Sequence, residues 1–137
     1  MQRIVALDIG SVRIGVAVSD PLGMFAQGVA VLQAEGPWLE ELAKILARYE
    51  KPVILIGLPR RTDGSEGPEA EHMREVAATV KERFPELQIE FWDERFTTTI
   101  AQQALIEADV SRRGRKQKVD KIAATLLLQS FLDRKGL

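Results

Sequence analysis

Two apolar segments near the N-terminus constrain the fold more than any other feature of the sequence. The run that begins at Ile4 predicts a strand over 3–9, and IGVAVS predicts a second strand over 14–19. The link between them is too short for a crossover connection, so these two strands must form an antiparallel hairpin. The first strand is apolar without alternation, which is typical of a central strand that is covered on both faces.

Strands and helices alternate in the rest of the chain. The predicted elements are a strand over 26–33, a helix from Trp38, a strand over 53–58, a helix from Pro68, a strand over 87–92, a helix from Thr99 to about Asp109, a basic loop, and a last helix over 118–134. This order predicts an α/β fold with a mixed five-stranded sheet, in which an antiparallel meander is extended by two parallel strands and helices cover both faces. That arrangement is the one found in the ribonuclease-H-like superfamily.

The bulk properties of the chain fit one globular domain over residues 1–137. No apolar run approaches the roughly 20 residues that a membrane span needs, and the first residues lack a signal-peptide pattern. The chain contains no cysteine, which excludes disulfides and thiolate metal sites. We therefore expect a cytoplasmic protein without membrane contact.

Asp8 is the first candidate for chemistry, because it lies near the end of a strand that is predicted to be buried on both faces. An ionised carboxylate in such a place is unfavourable unless it is paired or bound to metal. The alternative is a turn aspartate that accepts hydrogen bonds from the amides of Gly10 and Ser11.

Asp120 is the second candidate, since it begins an otherwise apolar stripe of the last helix. That stripe continues through Ala124, Leu127 and Phe131. An acid on this stripe is expected to point toward the body of the protein. The alternative is a first-turn acid that the helix dipole stabilises.

The pair Asp93-Glu94 at the end of the fifth strand supplies the third candidate. Strand alternation directs only one of the two inward. The longer reach of Glu94 favours it, and Asp93 stays open as the alternative.

In the predicted topology Asp8, Glu94 and Asp120 converge on one edge of the sheet. Oxygen ligands alone suit Mg²⁺ or Mn²⁺, and such a group of carboxylates would hold two ions about 4 Å apart for phosphodiester hydrolysis.

Basic residues could form a phosphate-binding rim around these acids, although the net charge of the chain is only −1. Four of them are predicted in loops on the same edge: Arg13, Arg60, Arg61 and Arg95. The basic loop before Asp120 adds Arg112, Arg113, Arg115, Lys116 and Lys118. The alternative for this loop is a solvated segment without a binding role.

Four segments resemble the YqgF or RuvX family, whose members are described as Holliday junction resolvases or pre-16S rRNA nucleases. The segments are LDIGSVRIGVAVSD (7–20), GLPRRTDGSEG (57–67), DERFTT (93–98) and KVDKIAATLLLQSFL (118–132). The resemblance implies a ribonuclease-H-like fold, a divalent-metal site, and a substrate that is either branched DNA or precursor ribosomal RNA. It maps the acidic positions of the family onto Asp8, Glu94 and Asp120.

Departures from related proteins bear on the substrate. Bacterial junction resolvases of the superfamily carry an acid after the fourth strand and two acids a turn apart in the last helix. Here the fourth strand ends in Gly57-Leu58-Pro59, which contains no acid. The position one helical turn after Asp120 is Ala123, which is not an acid either. These differences weaken the assignment to junction DNA more than the assignment as a nuclease. Symmetric junction cleavage would also require a homodimer, for which the sequence shows no interface pattern.

Two other function classes stay open from the sequence. One is a non-catalytic RNA-binding or ribosome-associated module that keeps the fold. The other is a nucleotide-binding domain of the actin and sugar-kinase type, because LDIGSVRIG also fits the first motif of those proteins.

Overall fold

A mixed five-stranded sheet forms the centre of the protein in the computed structural model. The structure describes residues 2–59, 63–93 and 112–135, and in the last of these segments it describes side chains over 121–134 only. The strands are β1 (Ile4–Ile9), β2 (Arg13–Ser19), β3 (Ala26–Gln33), β4 (Val53–Leu58) and β5 (Ile89–Asp93). Their spatial order is β3-β2-β1-β4-β5. β1, β2 and β3 form the antiparallel meander, and β4 is parallel to both β1 and β5. The predicted sheet is confirmed.

Three described helices cover the sheet: α1 (Trp38–Leu46), α2 (Pro68–Arg83) and α3 (Arg112–Lys135). α2 begins with proline at a first-turn position, where the missing N–H is not needed. Its first turn is acidic and its last turn is basic, which complements the helix dipole.

The two faces of the sheet bury separate apolar clusters. On one face, odd-numbered residues of β1 such as Val5 and Leu7 pack with α1 and α2. On the other face, Ile4 and Ala6 pack with Ala124, Leu127 and Phe131 of α3. We call these the α1–α2 face and the α3 face. This alternation decides on which side of the sheet each polar residue of a strand lies.

The prediction of a basic loop before the last helix was wrong. α3 begins at Arg112, so residues 112–117 belong to the helix rather than to a loop. Arginine, lysine and glutamine are good helix formers, and in this segment only Gly114 opposes them. An excess of positive charge is typical of a solvated loop, but the intrinsic propensities of these residues favour a helix.

The helix predicted over 99–109 lies outside the described residues. Among the helices of the described segments, none combines the length and the apolar content that a bilayer span requires.

Candidate active site

Asp8 lies on the α3 face near the end of β1, between two strand positions that carry no side chain. It is paired with Gly15 of antiparallel β2. On its other side, Leu7 is paired with Ile56 of parallel β4, so the next residue of β4, Gly57, is the neighbour of Asp8. The preceding residue on this face, Ala6, has the side chains of Ala17 and Leu55 as its neighbours. The half-buried carboxylate therefore lies on a strip of the sheet that is free of neighbouring strand side chains.

The hairpin after Asp8 depends on Gly10. Its amide donates to the carbonyl of Arg13 at 2.9 Å. A Cβ at this position would lie 2.9 Å from the same carbonyl oxygen, too close for any other residue. Because the Gly10 amide bonds within the hairpin, the interpretation of Asp8 as a turn aspartate loses one of its two expected partners.

Asp93 lies on the opposite face of the sheet from Asp8. It is the last residue of β5 rather than the first residue after it, and it pairs with Leu58. Ile89 and Phe91, which share its side of the strand, pack on the α1–α2 face. Trp92 instead packs edge-on against Phe131 of α3, with ring centroids 5.5 Å apart. Strand alternation thus separates Asp93 from Asp8.

Glu94 lies outside the described residues, as do Arg60, Arg61 and Arg95. The choice of Glu94 as a site residue stays a prediction. The structure bears only on the alternative, because Asp93 lies on the α1–α2 face, away from Asp8.

Arg13 is the first residue of β2 rather than part of a loop, which corrects the prediction. Its register partner is Gln33, the last residue of β3. It lies two residues before Gly15, hence on the α3 face and at the same end of the sheet as Asp8. It is half-buried. Its predicted place on the edge that carries Asp8 agrees with the structure, and its role toward phosphate is untested.

The contacts of α3 with β3 show the direction of the helix over the sheet. Gly28 lies against Lys121 and Thr125. One turn further along the helix, Gln129 bonds with Met24 and Ala26, which precede Gly28. The helix is therefore antiparallel to β3, and its residues before Lys121 extend toward the end of the sheet where Asp8 lies.

The apolar stripe predicted on the last helix is buried. Ala124 is 0% exposed, Leu127 is 2% and Phe131 is 8%. Asp120 occupies the position one turn before Ala124 on this stripe. The backbone of α3 thus runs toward the end of the sheet that carries Asp8, and the convergence of Asp8 with Asp120 stays a prediction. The side chains over 112–120, which include the basic residues Arg112, Arg113, Arg115, Lys116 and Lys118, lie outside the described set.

Asp8 is the one proposed metal ligand whose side chain is described, and its environment fits a hard divalent cation. A carboxylate oxygen is a preferred ligand of Mg²⁺ and Mn²⁺, and neither cross-strand neighbour of Asp8, Gly15 or Gly57, carries a side chain. Among the described side chains, no three acidic, histidine or cysteine groups come together. A complete site therefore needs ligands from segments 94–111 or 112–120.

Sequence reasoning missed the two glycines that flank Asp8. Glycine inside a strand pattern often marks a close approach of a ligand or of another backbone. Gly15 and Gly57 each carried that signal, but only the register of three strands shows that they are neighbours of the same carboxylate.

Comparison with known families decides the classification of the chain. The family model of RuvX, described as Holliday junction resolvase, matches residues 2–134. The chain belongs to the RuvX family. Membership in this nuclease family also favours an enzyme over the kinase-like nucleotide-binding domain.

Curated relatives of the RuvX chain share 47% identity with it. One from Pelotomaculum thermopropionicum, named "Putative pre-16S rRNA nuclease", aligns over 137 residues, 98% of this chain and 88% of the relative. One from Clostridium botulinum strain Hall, with the same name, aligns over 133 residues, 96% of each chain.

Solved structures similar to this RuvX chain share its fold at low sequence identity. The Fowlpox virus resolvase in complex with Holliday junction DNA gives a TM-score of 0.59 at 14% identity, covering 98% of this chain and 99% of the resolvase. The T. thermophilus RuvC in complex with Holliday junction substrate gives 0.54 at 14% identity, covering 99% and 97%. These likenesses confirm the ribonuclease-H-like fold.

Proposed function

We propose that this RuvX-family chain is a divalent-metal-dependent nuclease that hydrolyses phosphodiester bonds in the precursor of 16S ribosomal RNA. The observation that carries the proposal is the half-buried Asp8 carboxylate on a glycine-lined strip, at the end of the sheet toward which α3 brings Asp120. The substrate is inferred from relatives that are 47% identical over nearly the whole chain.

Asp8, Glu94 and Asp120 are the residues that would hold Mg²⁺ or Mn²⁺, two ions in all. When bound, the ions supply activation of a water for in-line attack and stabilisation of the leaving oxygen. Three carboxylates in one place repel one another strongly, so cations are also needed to stabilise the site.

The protein itself contributes placement and charge to the reaction. Gly15 and Gly57 carry no side chains that would obstruct the approach of the scissile phosphate to Asp8. Arg13, on the same face and at the same end of the sheet, is suited to bind a phosphate oxygen. Arg60, Arg61, Arg95 and the basic first turns of α3 would bind the flanking backbone.

Hydrolysis needs no protein nucleophile in this proposal. The oxygen of a water molecule forms the new bond to phosphorus, and the bond from phosphorus to the leaving oxygen breaks. The water proton leaves to solvent, and the leaving oxygen takes up a proton.

Junction DNA is the second candidate substrate, because the matching family model is described as Holliday junction resolvase. Two observations disfavour it. β4 ends without an acid at Gly57-Leu58, and Ala123 stands a turn after Asp120. A homodimer would be required for paired cuts.

A cleavage assay with Mn²⁺ tests the proposal on both substrates. We expect the wild-type chain to cleave RNA that contains an end of the 16S precursor and to leave a four-way DNA junction largely intact. Asp8→Asn should abolish RNA cleavage. Glu41→Gln, which changes an exposed acid of α1 on the other face of the sheet, is the matched control and should cleave normally.

The assay separates the alternatives clearly. Cleavage by Asp8→Asn at the wild-type rate would locate the activity elsewhere. Faster cleavage of the junction would reverse the choice of substrate. Tight RNA binding without cleavage by the wild type would favour a non-catalytic RNA-binding module.

A further inference from the structure

Helix α3 approaches the backbone of β3 most closely at Gly28. A Cβ built on Gly28 would lie 3.0 Å from Oγ1 of Thr125, 3.2 Å from Cβ of Lys121 and 3.3 Å from the carbonyl oxygen of Lys121. Distances this short are rare between real side chains, and two of the three atoms belong to the helix backbone or to the stem of a side chain. Only glycine lets the helix come this near to the strand.

The contact at Lys121 bears directly on Asp120, the preceding residue of the same helix. The Thr125 hydroxyl donates to the Lys121 carbonyl at 2.7 Å, so the atoms that Gly28 meets belong to a single turn. A displacement of this turn from the sheet would carry Asp120 with it, because a helix moves as a rigid unit over so short a length.

A second contact holds the helix further along. The side chain of Gln129 accepts a hydrogen bond from the amide of Ala26 at 2.9 Å and donates to the carbonyl of Met24 at 2.9 Å. With the helix held at Gln129, added bulk at Gly28 would tilt the turn at Lys121 outward rather than shift the helix as a whole.

We propose that Gly28 is a positioning residue, which sets the height of Asp120 above the sheet and hence its distance from Asp8. This inference rests on the proposed function, since it assigns Asp120 to the metal site. Metal–ligand distances are held within about 0.2 Å. A shift of α3 by a few tenths of an ångström, as an alanine at position 28 requires, is therefore large on the scale of the site.

The alternative is that Gly28 serves only the packing of α3. Both roles predict that Gly28→Ala lowers stability, so stability alone does not distinguish them. Manganese affinity does distinguish them, because a chain in which α3 stays folded but holds Asp120 too far from the sheet would bind the ion more weakly.

The test measures Mn²⁺ binding to the full chain by isothermal titration calorimetry, together with thermal unfolding in the absence of metal. Gly28→Ala is expected to bind Mn²⁺ roughly 10-fold more weakly than the wild type, and Gly28→Val more weakly again. Gly36→Ala is the matched control, because a Cβ there lies at an ordinary 3.4 Å from its nearest atoms, both in Gln33. Ile45→Val, in the core of the opposite face, controls for a general loss of stability.

A rescue variant keeps the test decisive if Gly28→Ala folds poorly. Thr125→Ala removes the atom nearest to the added methyl group, so the double variant should recover part of the stability and of the Mn²⁺ affinity. Wild-type affinity in a folded but less stable Gly28→Ala would overturn the positioning role and leave the proposed function intact. If the wild type binds no Mn²⁺, or if Asp8→Asn binds it equally well, both the positioning role of Gly28 and the proposed function would be overturned.

Discussion

Asp8 and Gly15 are register partners in the antiparallel pair β1–β2, on the face of the sheet that α3 covers. Gly57 occupies the neighbouring position in β4. Asp8 thus has a glycine as its cross-strand neighbour on each side, one from its hairpin partner β2 and one from β4, which is distant in sequence. Acids at strand ends are common in proteins, and the two glycines distinguish this one as a candidate for binding a ligand.

Alanine at either flanking glycine should separate stability from function. The Cα atoms of neighbouring strands lie about 4.8 Å apart, so a methyl group at position 15 or 57 would enter the space beside the Asp8 carboxylate. We expect Gly15→Ala and Gly57→Ala to bind Mn²⁺ roughly 10-fold more weakly. Both should unfold at the same or a higher temperature, because glycine inside a strand is about 0.5–1 kcal/mol less favourable than alanine.

Calorimetric titration and thermal unfolding of the same samples check this prediction, with Gly36→Ala as control. Unchanged Mn²⁺ affinity in both variants would show that the strip has no part in the metal site.

The choice between Asp93 and Glu94 can be tested by paired amide substitutions. Asp93 lies on the α1–α2 face with Phe91, away from Asp8. We expect Asp93→Asn to cleave RNA at close to the wild-type rate and Glu94→Gln to lose more than about 100-fold in kcat, as befits a lost metal ligand. Steady-state kinetics with Mn²⁺ provide the measurement. A larger loss of kcat in Asp93→Asn than in Glu94→Gln would identify Asp93 as the ligand. The end of β5 would then have to present Asp93 to the α3 face.

Much of the fold could be predicted from the sequence, and the reasons for the failures are physical. The unbroken apolar run of β1 and the short link to β2 suffice to predict the hairpin and the central strand. The buried stripe of α3 was likewise visible in its spacing. The start of α3 was misplaced because charge was weighed above helix propensity over residues 112–117.

The site was less accessible to sequence reasoning than the fold. Asp8 could be chosen as a candidate from the sequence, because an ionised carboxylate that follows a run of buried apolar residues needs a partner or a metal ion. Three glycines matter only because of their neighbours in adjacent strands or in α3: Gly15, Gly28 and Gly57. The local sequence does not determine which residues those neighbours are. For the same reason the faces of Asp93 and Trp92 became clear only from the pairing of β5 with β4.

The basic first turns of α3 should control how nucleic-acid binding depends on salt. Each phosphate contact that is lost reduces the slope of log K against log salt concentration by roughly 0.7 to 0.9. Neutralising Arg112, Arg113, Arg115 and Lys116 with glutamine should therefore weaken RNA binding and flatten this slope. Filter binding or fluorescence anisotropy over a salt series gives the measurement. An unchanged slope would show that these four residues make no contacts with phosphate.

The turn between β2 and β3 should be sensitive to acid. The Asp20 carboxylate accepts hydrogen bonds from the amides of Phe25 at 2.9 Å and Met24 at 2.6 Å. These bonds lower the pKa of Asp20 below its ordinary value of 3.8. Because the pKa is lower in the folded state, the stabilisation is present above that ordinary value and is lost as the pH falls through the folded pKa.

An NMR titration of the amide signals of Met24 and Phe25 tests this behaviour. We expect both signals to move at a pH below 3.8 in the wild type and to lose this transition in Asp20→Asn. A transition that persists in the variant would mean that another group is being titrated.

Manganese binding to Asp8→Asn tests the central claim most directly, because it requires neither a substrate nor a competent reaction. Calorimetric titration of the folded wild-type chain should show Mn²⁺ binding, and Asp8→Asn should lose it while unfolding at the same or a higher temperature without metal. Equal Mn²⁺ affinity in the two proteins would contradict the assignment of Asp8 as a metal ligand and, with it, the proposed nuclease site.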